Sequence, residues 1–225
     1  MTEPLVRVRA RVRTRMLLVG GVVLLLLWLG LAAAVRAEAG PFAIDSAVWT
    51  WALEHRSGPL TGFVRGVTLF GENWFMTLVL IAAVILLSVR GENREALFLV
   101  GAGAGNGLLV VLCKEIIARH RPSADGQLVD VNSFSFPSGH AMGAAGVVSL
   151  LVILALGHLR SPLWRALTPL LAVVFVLAIG ASRVYLGVHW VTDVVGGWLL
   201  AGAWITLCCA WRSARRAAGT WTAEG

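Results

Sequence analysis

Residues 137–157 read PSGHAMGAAGVVSLLVILALG, a short polar sequence that leads directly into a long apolar one. Ser138 is a residue type that often caps a helix, so a helix is predicted to begin at Gly139. The apolar run that follows approaches the roughly 20 residues that a helix needs to cross a bilayer. The stretch therefore predicts a membrane-spanning helix with polar side chains at one end.

The composition of the whole chain also indicates a membrane protein. Of its 225 residues, 58% are hydrophobic and 14% are charged, whereas soluble domains are near half apolar and a quarter charged. The net charge of +7 does not indicate nucleic-acid binding, because many basic residues lie at the ends of apolar runs rather than on one soluble domain. The three cysteines lie inside apolar segments and form neither a disulfide framework nor a metal-binding pattern.

Five further segments are similarly apolar, so we predict an all-α fold, an integral membrane bundle of six transmembrane helices. The richest basic run precedes the first span, and basic residues favour the cytoplasmic side. Alternation from there places both termini in the cytoplasm and the polar clusters described below outside. We expect cytoplasmic tails at residues 1–15 and 212–225 around a membrane domain of residues 16–211. The predicted spans are residues 16–35, 74–89, 95–117, 139–157, 163–181 and 189–211.

The first span has an alternative interpretation as a cleaved signal peptide. A basic segment precedes it, and Ala37-Glu38-Ala39 resembles a cleavage site. Its apolar stretch of about 20 residues is longer than the usual 7–15 residues of such a peptide. We therefore favour an uncleaved anchor.

The connection between the first two spans is too polar to cross the membrane. Within it, residues 42–56 carry Val48, Trp49, Ala52 and Leu53 on one helical face. This pattern predicts an amphipathic helix that lies at the outer interface.

The first of three polar clusters consists of Lys114, Arg121 and Pro122, at the outer end of the third span. On a continuing helix, positions seven apart fall on the same face, so both cations can reach one anion. Arginine can bind two phosphate oxygens at once, while lysine acts as a point charge. The alternative is that both side chains only extend to the membrane boundary.

The second cluster is Pro137-Ser138-Gly139-His140. Free backbone N–H groups at a helix N-terminus bind anions, and glycine lets a phosphate approach closely. Ser138 can donate its hydroxyl or cap the helix, and His140 would lie within reach of a leaving-group oxygen. An ordinary capped helix with a bystander histidine explains the tetrapeptide equally well.

The third cluster consists of Ser182, Arg183, His189 and Asp193. His189 and Asp193 are four residues apart and hence neighbours on one helical face. A carboxylate inside the membrane is costly unless it has a partner, and His189 is the available one. Their bond would fix the imidazole tautomer and leave the other ring nitrogen free as a nucleophile. The alternative is a structural His–Asp bond between two helices.

Together, K-x6-R-P, P-S-G-H and S-R-x5-H-x3-D resemble the signature of the type 2 phosphatidic acid phosphatase superfamily, which also contains the vanadium haloperoxidases. The resemblance covers about residues 60–211. It implies an all-helical core with a metal-independent phosphatase site on the outer side and no cofactor. It also implies that His189 becomes phosphohistidine, that Asp193 orients it and that His140 protonates the leaving group. The residues implied to hold the phosphoryl oxygens are Lys114, Arg121, Ser138, Gly139 and Arg183.

The sequence therefore predicts a lipid phosphatase of a bacterial cell membrane, whose partners are the bilayer and a lipid phosphate or pyrophosphate. By resemblance, undecaprenyl pyrophosphate is the favoured substrate, with phosphatidylglycerol phosphate and phosphatidate as alternatives. Other functions for the same pattern are a lipid phosphotransferase, a vanadate-dependent peroxidase and a non-catalytic phospholipid-binding or transport protein. The sequence indicates no oligomeric state.

Overall fold

A computed structural model describes residues 3–38 and 40–218, and the regular structure of this part of the chain is entirely helical. The predicted all-α fold is therefore confirmed. The longest connection, residues 118–138, contains one 3₁₀ turn, Ala124–Gly126. The α helices are α1 (Glu3–Ala37), α2 (Ala43–Glu54), α3 (Gly58–Leu69), α4 (Asn73–Val89), α5 (Asn93–Ile117), α6 (Gly139–His158), α7 (Pro162–Tyr185) and α8 (Val191–Ala217).

Each of the six predicted spans coincides with a helix, and five of these helices are long and apolar enough to cross a membrane alone. The exception is α4, whose 17 residues extend about 26 Å at 1.5 Å per residue. This length is short for a hydrocarbon core of about 30 Å. Together with α3, from which it is separated by a bend of 41°, α4 forms a sixth candidate span.

Two short helices, rather than the single predicted one, connect the first two spans. α2 coincides with the predicted amphipathic segment, and its Ala52 is buried. Its most buried side chain is nevertheless polar, because Asp45 is 0% exposed. α3 was not predicted, since three glycines in its twelve residues give it a low intrinsic helix propensity.

α8 packs along both α1 and α6, and small residues make these close contacts possible. A Cβ atom at Gly21 of α1 would lie 2.8 Å from Leu207 Cδ2. A Cβ atom at Gly197 of α8 would lie 2.8 Å from the Ser138 carbonyl oxygen. Glycine at position 197 therefore lets α8 touch the backbone where α6 begins.

The two ends of the bundle contain different parts of the chain. At one end, Thr14 of α1 donates a hydrogen bond to Ser213 of α8 over 2.9 Å. At the other end, Arg36 of α1 donates to the carbonyl group of Ile116 in α5. The three polar clusters lie at this second end. The predicted tails lie partly outside the described residues, as does Ala39 of the candidate cleavage site, and the orientation of the bundle in the membrane stays a prediction.

Candidate active site

Four helix ends meet at the end of the bundle that contains the three polar clusters, and they carry predicted site residues. Lys114 lies in the last turn of α5 and Arg183 in the last turn of α7. Ser138 immediately precedes α6, and Asp193 lies in the first turn of α8. The three clusters, which are far apart in the sequence, are thus adjacent in the fold.

The loop of residues 118–138 holds these helix ends in place. Ala118 ends α5 in a left-handed backbone conformation, with a φ of 51°, which is a common way for a helix to stop. Farther along, the Ser135 N–H donates to the Arg119 carbonyl group over 2.8 Å, and the Ser138 N–H donates to the Asp193 carbonyl group over 3.0 Å. The loop therefore returns first to the end of α5 and then to the start of α8.

Ser138 caps α6, as one of its predicted roles required. Its side-chain oxygen accepts a hydrogen bond from the Ala141 N–H over 3.4 Å, and the residue is fully buried. Gly139, the first residue of α6, leaves space at this helix N-terminus because it has no side chain. The start of α6 therefore has the backbone that an anion site would use, and the anion site itself stays a prediction.

Lys114 and Arg121 converge on the same part of the loop, but not on the continuing helix that their spacing assumed, because α5 ends at Ile117 and Arg121 lies in the loop. Lys114 Nζ and Arg121 Nη2 both donate to the Phe134 carbonyl group, the latter over 3.2 Å. Arg121 Nη1 lies 3.2 Å from Nε2 of His189. A guanidinium group suited to phosphate is thus directly beside the predicted nucleophile.

His189 and Asp193 form the predicted pair, with 3.3 Å between Nδ1 and Oδ2. His189 is 2% exposed and Asp193 is 0% exposed. Because a carboxylate only accepts hydrogen bonds, Nδ1 is the nitrogen that carries hydrogen. The lone pair is then on Nε2, the atom that faces Arg121.

The pKa of His189 favours the neutral ring. Burial lowers this pKa from its ordinary value of 6.5 to about 3, although the nearby Asp193 carboxylate acts in the opposite direction. The positive charges of Arg121 and Lys114 lower it further. At neutral pH the imidazole therefore has the unprotonated nitrogen that a nucleophile needs.

The sequence indicated only His189 as a partner for Asp193, but the structure shows three more. Its Oδ1 accepts from Arg119 Nη1 over 2.6 Å. Its Oδ2 also accepts from the Ser135 hydroxyl group and, over 2.8 Å, from the Trp190 N–H. The carboxylate is therefore oriented from three sides besides the imidazole, which explains how a charge is tolerated at this depth.

Arg119 extends this network to α2. Its Nη2 donates to Asp45 Oδ2 over 2.7 Å, so one guanidinium group bridges two fully buried carboxylates. Asp45 also accepts from the backbone N–H of Thr192 over 2.9 Å and from the Thr192 hydroxyl group over 2.8 Å. The interfacial helix α2 is thus bound to the first turn of α8.

The sequence interpretation did not single out Arg119 or Ser135. One feature of the sequence could have pointed to Arg119, because a further cation at the outer end of a span runs against the positive-inside tendency. Ser135 had none, since a serine in a polar loop is unremarkable. The fold reveals both residues, because the loop that carries them folds back over Asp193.

The turn between α3 and α4 forms a second wall of the site. Arg183 Nη1 donates to the Thr68 hydroxyl group over 2.8 Å, and His140 Nε2 lies 3.2 Å from Glu72 Oε1. His140 and Arg183 are therefore both turned towards this wall. No group of three or more His, Cys, Asp or Glu side chains in the described ranges is placed to hold a metal ion.

We predict that His189 makes folding stability depend on pH below neutrality. Between about pH 6.5 and pH 3 an unfolded chain protonates this histidine and the folded chain does not, so the free energy of unfolding falls as the pH drops through this range. Asparagine at position 189 removes the titration and can still donate a hydrogen bond to Asp193. Thermal unfolding in detergent between about pH 4 and pH 7 should therefore show a smaller acid loss for His189→Asn than for the wild type. Parallel curves for the two proteins would contradict this prediction.

Comparison with known proteins identifies the family. A profile described as the PAP2 superfamily matches residues 95–217, more than half of the chain. The chain belongs to the PAP2 superfamily. Phosphatidylglycerophosphatase B of Bacillus subtilis is 34% identical to this PAP2 protein over 178 residues, which are 79% of this chain and 87% of that protein. Decaprenylphosphoryl-5-phosphoribose phosphatase of Mycobacterium tuberculosis is 34% identical over 170 residues, covering 73% and 86% of the two chains.

A solved structure agrees with this assignment. The crystal structure of a transmembrane PAP2 type phosphatidylglycerolphosphate phosphatase from Bacillus subtilis matches with a TM-score of 0.75 and 32% identity, covering 85% of this chain and 95% of that one. The comparisons confirm the family, the membrane-embedded helical fold and the class of activity predicted from the sequence. This PAP2 protein is a membrane lipid phosphatase.

Proposed function

We propose that this PAP2 phosphatase removes a terminal phosphoryl group from a lipid phosphate or pyrophosphate at the outer membrane face, through a phosphohistidine on His189. The surroundings of that imidazole carry the proposal. Nδ1 lies 3.3 Å from Asp193 and Nε2 lies 3.2 Å from Arg121. One nitrogen is thus held by a carboxylate, and the other can attack a phosphoryl group that Arg121 binds.

The phosphoryl oxygens would be bound by positive charge and by free backbone N–H groups. Lys114, Arg121 and Arg183 supply the cations, and the start of α6 at Gly139 supplies the N–H groups. Such a shell stabilises the charge on the equatorial oxygens of an in-line transition state. Carbonyl and hydroxyl oxygens of the protein accept hydrogen bonds from several of these donors.

In the first chemical step, Nε2 of His189 forms a bond to phosphorus as the bond between phosphorus and the leaving-group oxygen breaks. The electron pair of the broken bond moves to that oxygen, which takes a proton from His140. Positive charge develops on the His189 ring, and the Asp193 carboxylate stabilises it. The products of this step are the dephosphorylated lipid and a phosphohistidine.

In the second step, water attacks the phosphorus atom of the phosphohistidine. The N–P bond breaks and its electron pair returns to Nε2 of His189. His140, now neutral, accepts a proton from the attacking water. Inorganic phosphate leaves, and both histidines regain the protonation states in which they began.

The relatives suggest which lipids to compare. One is named for phosphatidylglycerophosphate, and the other for a decaprenyl lipid phosphate. Our sequence-based preference for undecaprenyl pyrophosphate belongs to the second, polyprenyl class. The three candidate substrates share a phosphate group near the interface and a tail that stays in the bilayer, and a site at the end of a helix bundle suits such a substrate.

The test of this proposal is phosphate release by the purified protein in detergent with EDTA present. We expect hydrolysis of undecaprenyl pyrophosphate, phosphatidylglycerol phosphate or phosphatidate to survive chelation, because the proposed chemistry uses only side chains and backbone. The ranking of kcat/KM among the three lipids identifies the preferred class. Activity that disappears with EDTA and returns with Mg²⁺ would contradict the mechanism.

A phosphotransferase would use the same first step and differ only in the acceptor. Labelled donor lipid distinguishes the two functions. A hydrolase releases the label as inorganic phosphate, whereas a transferase delivers it to a second lipid.

A further inference from the structure

Glu72 contacts the site, but neither the sequence hypothesis nor the proposed mechanism uses it. It follows the turn between α3 and α4, and its Oε1 lies 3.2 Å from Nε2 of His140. The side chain of His140 is 13% exposed and that of Glu72 is 35% exposed. The two atoms are at ion-pair distance but are not aligned as a hydrogen bond. The carboxylate therefore faces the ring at the partly open edge of the site.

Capping of α4 does not explain the position of this carboxylate. Glu72 is the N-cap residue of α4, but its side chain makes no capping hydrogen bond. Glutamate is also not among the preferred N-cap residues. The hydrogen bond from the Met76 N–H to Glu72 uses the backbone carbonyl group, which any residue would provide.

Gly71 shows that the turn before Glu72 is packed closely against α6 and α7. A Cβ atom at Gly71 would lie 2.5 Å from Ile179 Cγ2 and 3.3 Å from His140 Cδ2. On the other side of the turn, Thr68 accepts the hydrogen bond from Arg183. Packing of the turn thus sets the position of Glu72 relative to the imidazole.

The charges around His140 suggest what this carboxylate does. Burial and the positive charge of Arg183 in α7 act most strongly against a proton on the ring, the Glu72 carboxylate of the α3–α4 turn acts in its favour, and Arg121 of the long loop adds a smaller repulsion. Phosphate-binding cations repel the proton that a general acid must carry, whereas a carboxylate attracts it. A general acid placed among such cations therefore benefits from an adjacent carboxylate.

We propose that Glu72 is a positioning residue for general-acid catalysis. Its carboxylate orients the protonated ring of His140 and retains the proton until the P–O bond breaks, leaving the second N–H of the ring for the leaving-group oxygen. The proton passes to that oxygen with the electron pair of the broken bond, and Glu72 stays ionised throughout. The inference rests on the proposed function, because it needs His140 as the acid.

The leaving group provides a test that separates this role from a structural one. p-Nitrophenolate departs without protonation, whereas an alkoxide needs a proton. Glu72→Gln should therefore slow the first step, measured as the single-turnover rate of leaving-group release, by about 10- to 100-fold for dihexanoyl phosphatidate, a part of the 10²–10⁴-fold that general-acid catalysis contributes. For p-nitrophenyl phosphate the same first-step rate should stay within about threefold of the wild type. Steady-state kcat is not the measure, because the second step also uses His140 and is common to both substrates. Glu54→Gln, which changes an exposed carboxylate at the end of α2, is the matched control and should leave both substrates unaffected.

Each other outcome rejects the role of Glu72. An equal loss on both substrates would mean that the variant damages the fold or phosphate binding in general. A rise in KM alone would mean that the substitution disturbs phosphate binding by Arg183. No change on either substrate would mean that the contact between Glu72 and His140 has no role in the reaction. In this first step His140→Ala should show the same leaving-group selectivity, and adding Glu72→Gln to it should cause no further loss. Failure of the proposed function appears separately, as p-nitrophenyl phosphate hydrolysis that survives His189→Ala.

Discussion

Replacing His189 by alanine is expected to reduce phosphate release by at least about 10⁴-fold, because the attacking nitrogen is lost. Binding should survive, since Lys114, Arg121 and Arg183 keep their charges. The measurement is steady-state phosphate release, with lipid phosphate binding followed in parallel. Brief mixing with ³²P-labelled substrate and an alkaline quench should trap a labelled wild-type protein and no labelled variant.

His158→Ala is the matched control for this substitution. His158 lies at the opposite end of the bundle, half exposed, 3.3 Å from Glu92. Its replacement should leave turnover unchanged. If His189→Ala kept activity near the wild-type level, His189 would not be the nucleophile.

Replacing Arg119 by leucine is expected to cause the largest loss of stability. The substitution leaves Asp45 and Asp193 as two buried carboxylates without their shared cation. Removing one partner of a buried ion pair typically costs about 3–5 kcal/mol. We expect a clear fall in the unfolding temperature in detergent, measured by intrinsic tryptophan fluorescence, together with loss of activity as Asp193 is released.

Two further variants test this explanation. Arg160→Leu removes an exposed arginine and should change stability little. Combining Arg119→Leu with Asp45→Asn should cost less than the sum of the two single substitutions, because one buried charge is no longer left unpaired. Additive losses would show that Arg119 and Asp45 do not act through each other.

Much of the fold could be predicted because it depends on local patterns. Apolar stretches of about 20 residues locate the spans wherever they occur in a chain. The pairing of His189 with Asp193 was inferred from a spacing of four on one helical face, but in the structure it spans the start of α8, which begins at Val191. The convergence of Lys114 and Arg121 was inferred from a continuing helix, whereas α5 ends at Ile117 and the loop brings Arg121 back.

The parts of the site that the sequence did not predict depend on contacts between segments that are distant in the sequence. Arg119 is 74 residues from Asp45 and 74 residues from Asp193 in the sequence, and no periodicity links residues so far apart. Glu72 lies beside His140 at the break between α3 and α4, where the two helices bend by 41°. Sequence patterns suggested the groups suited to the chemistry and Asp193 as an orienting residue, but not Arg119, Ser135 or Glu72.

The hydrogen bonds at the start of α8 reduce the entropy that is lost when substrate binds in each catalytic cycle. The first N–H groups of a helix normally lack partners within it and are prone to fraying. Here the N–H groups of Trp190 and Thr192 bond to the carboxylates of Asp193 and Asp45. His189 directly precedes this reinforced turn, so its ring direction is set when the chain folds. Little rotational entropy of this ring then remains to be lost when a lipid arrives, and the proposed nucleophile is preorganised for attack.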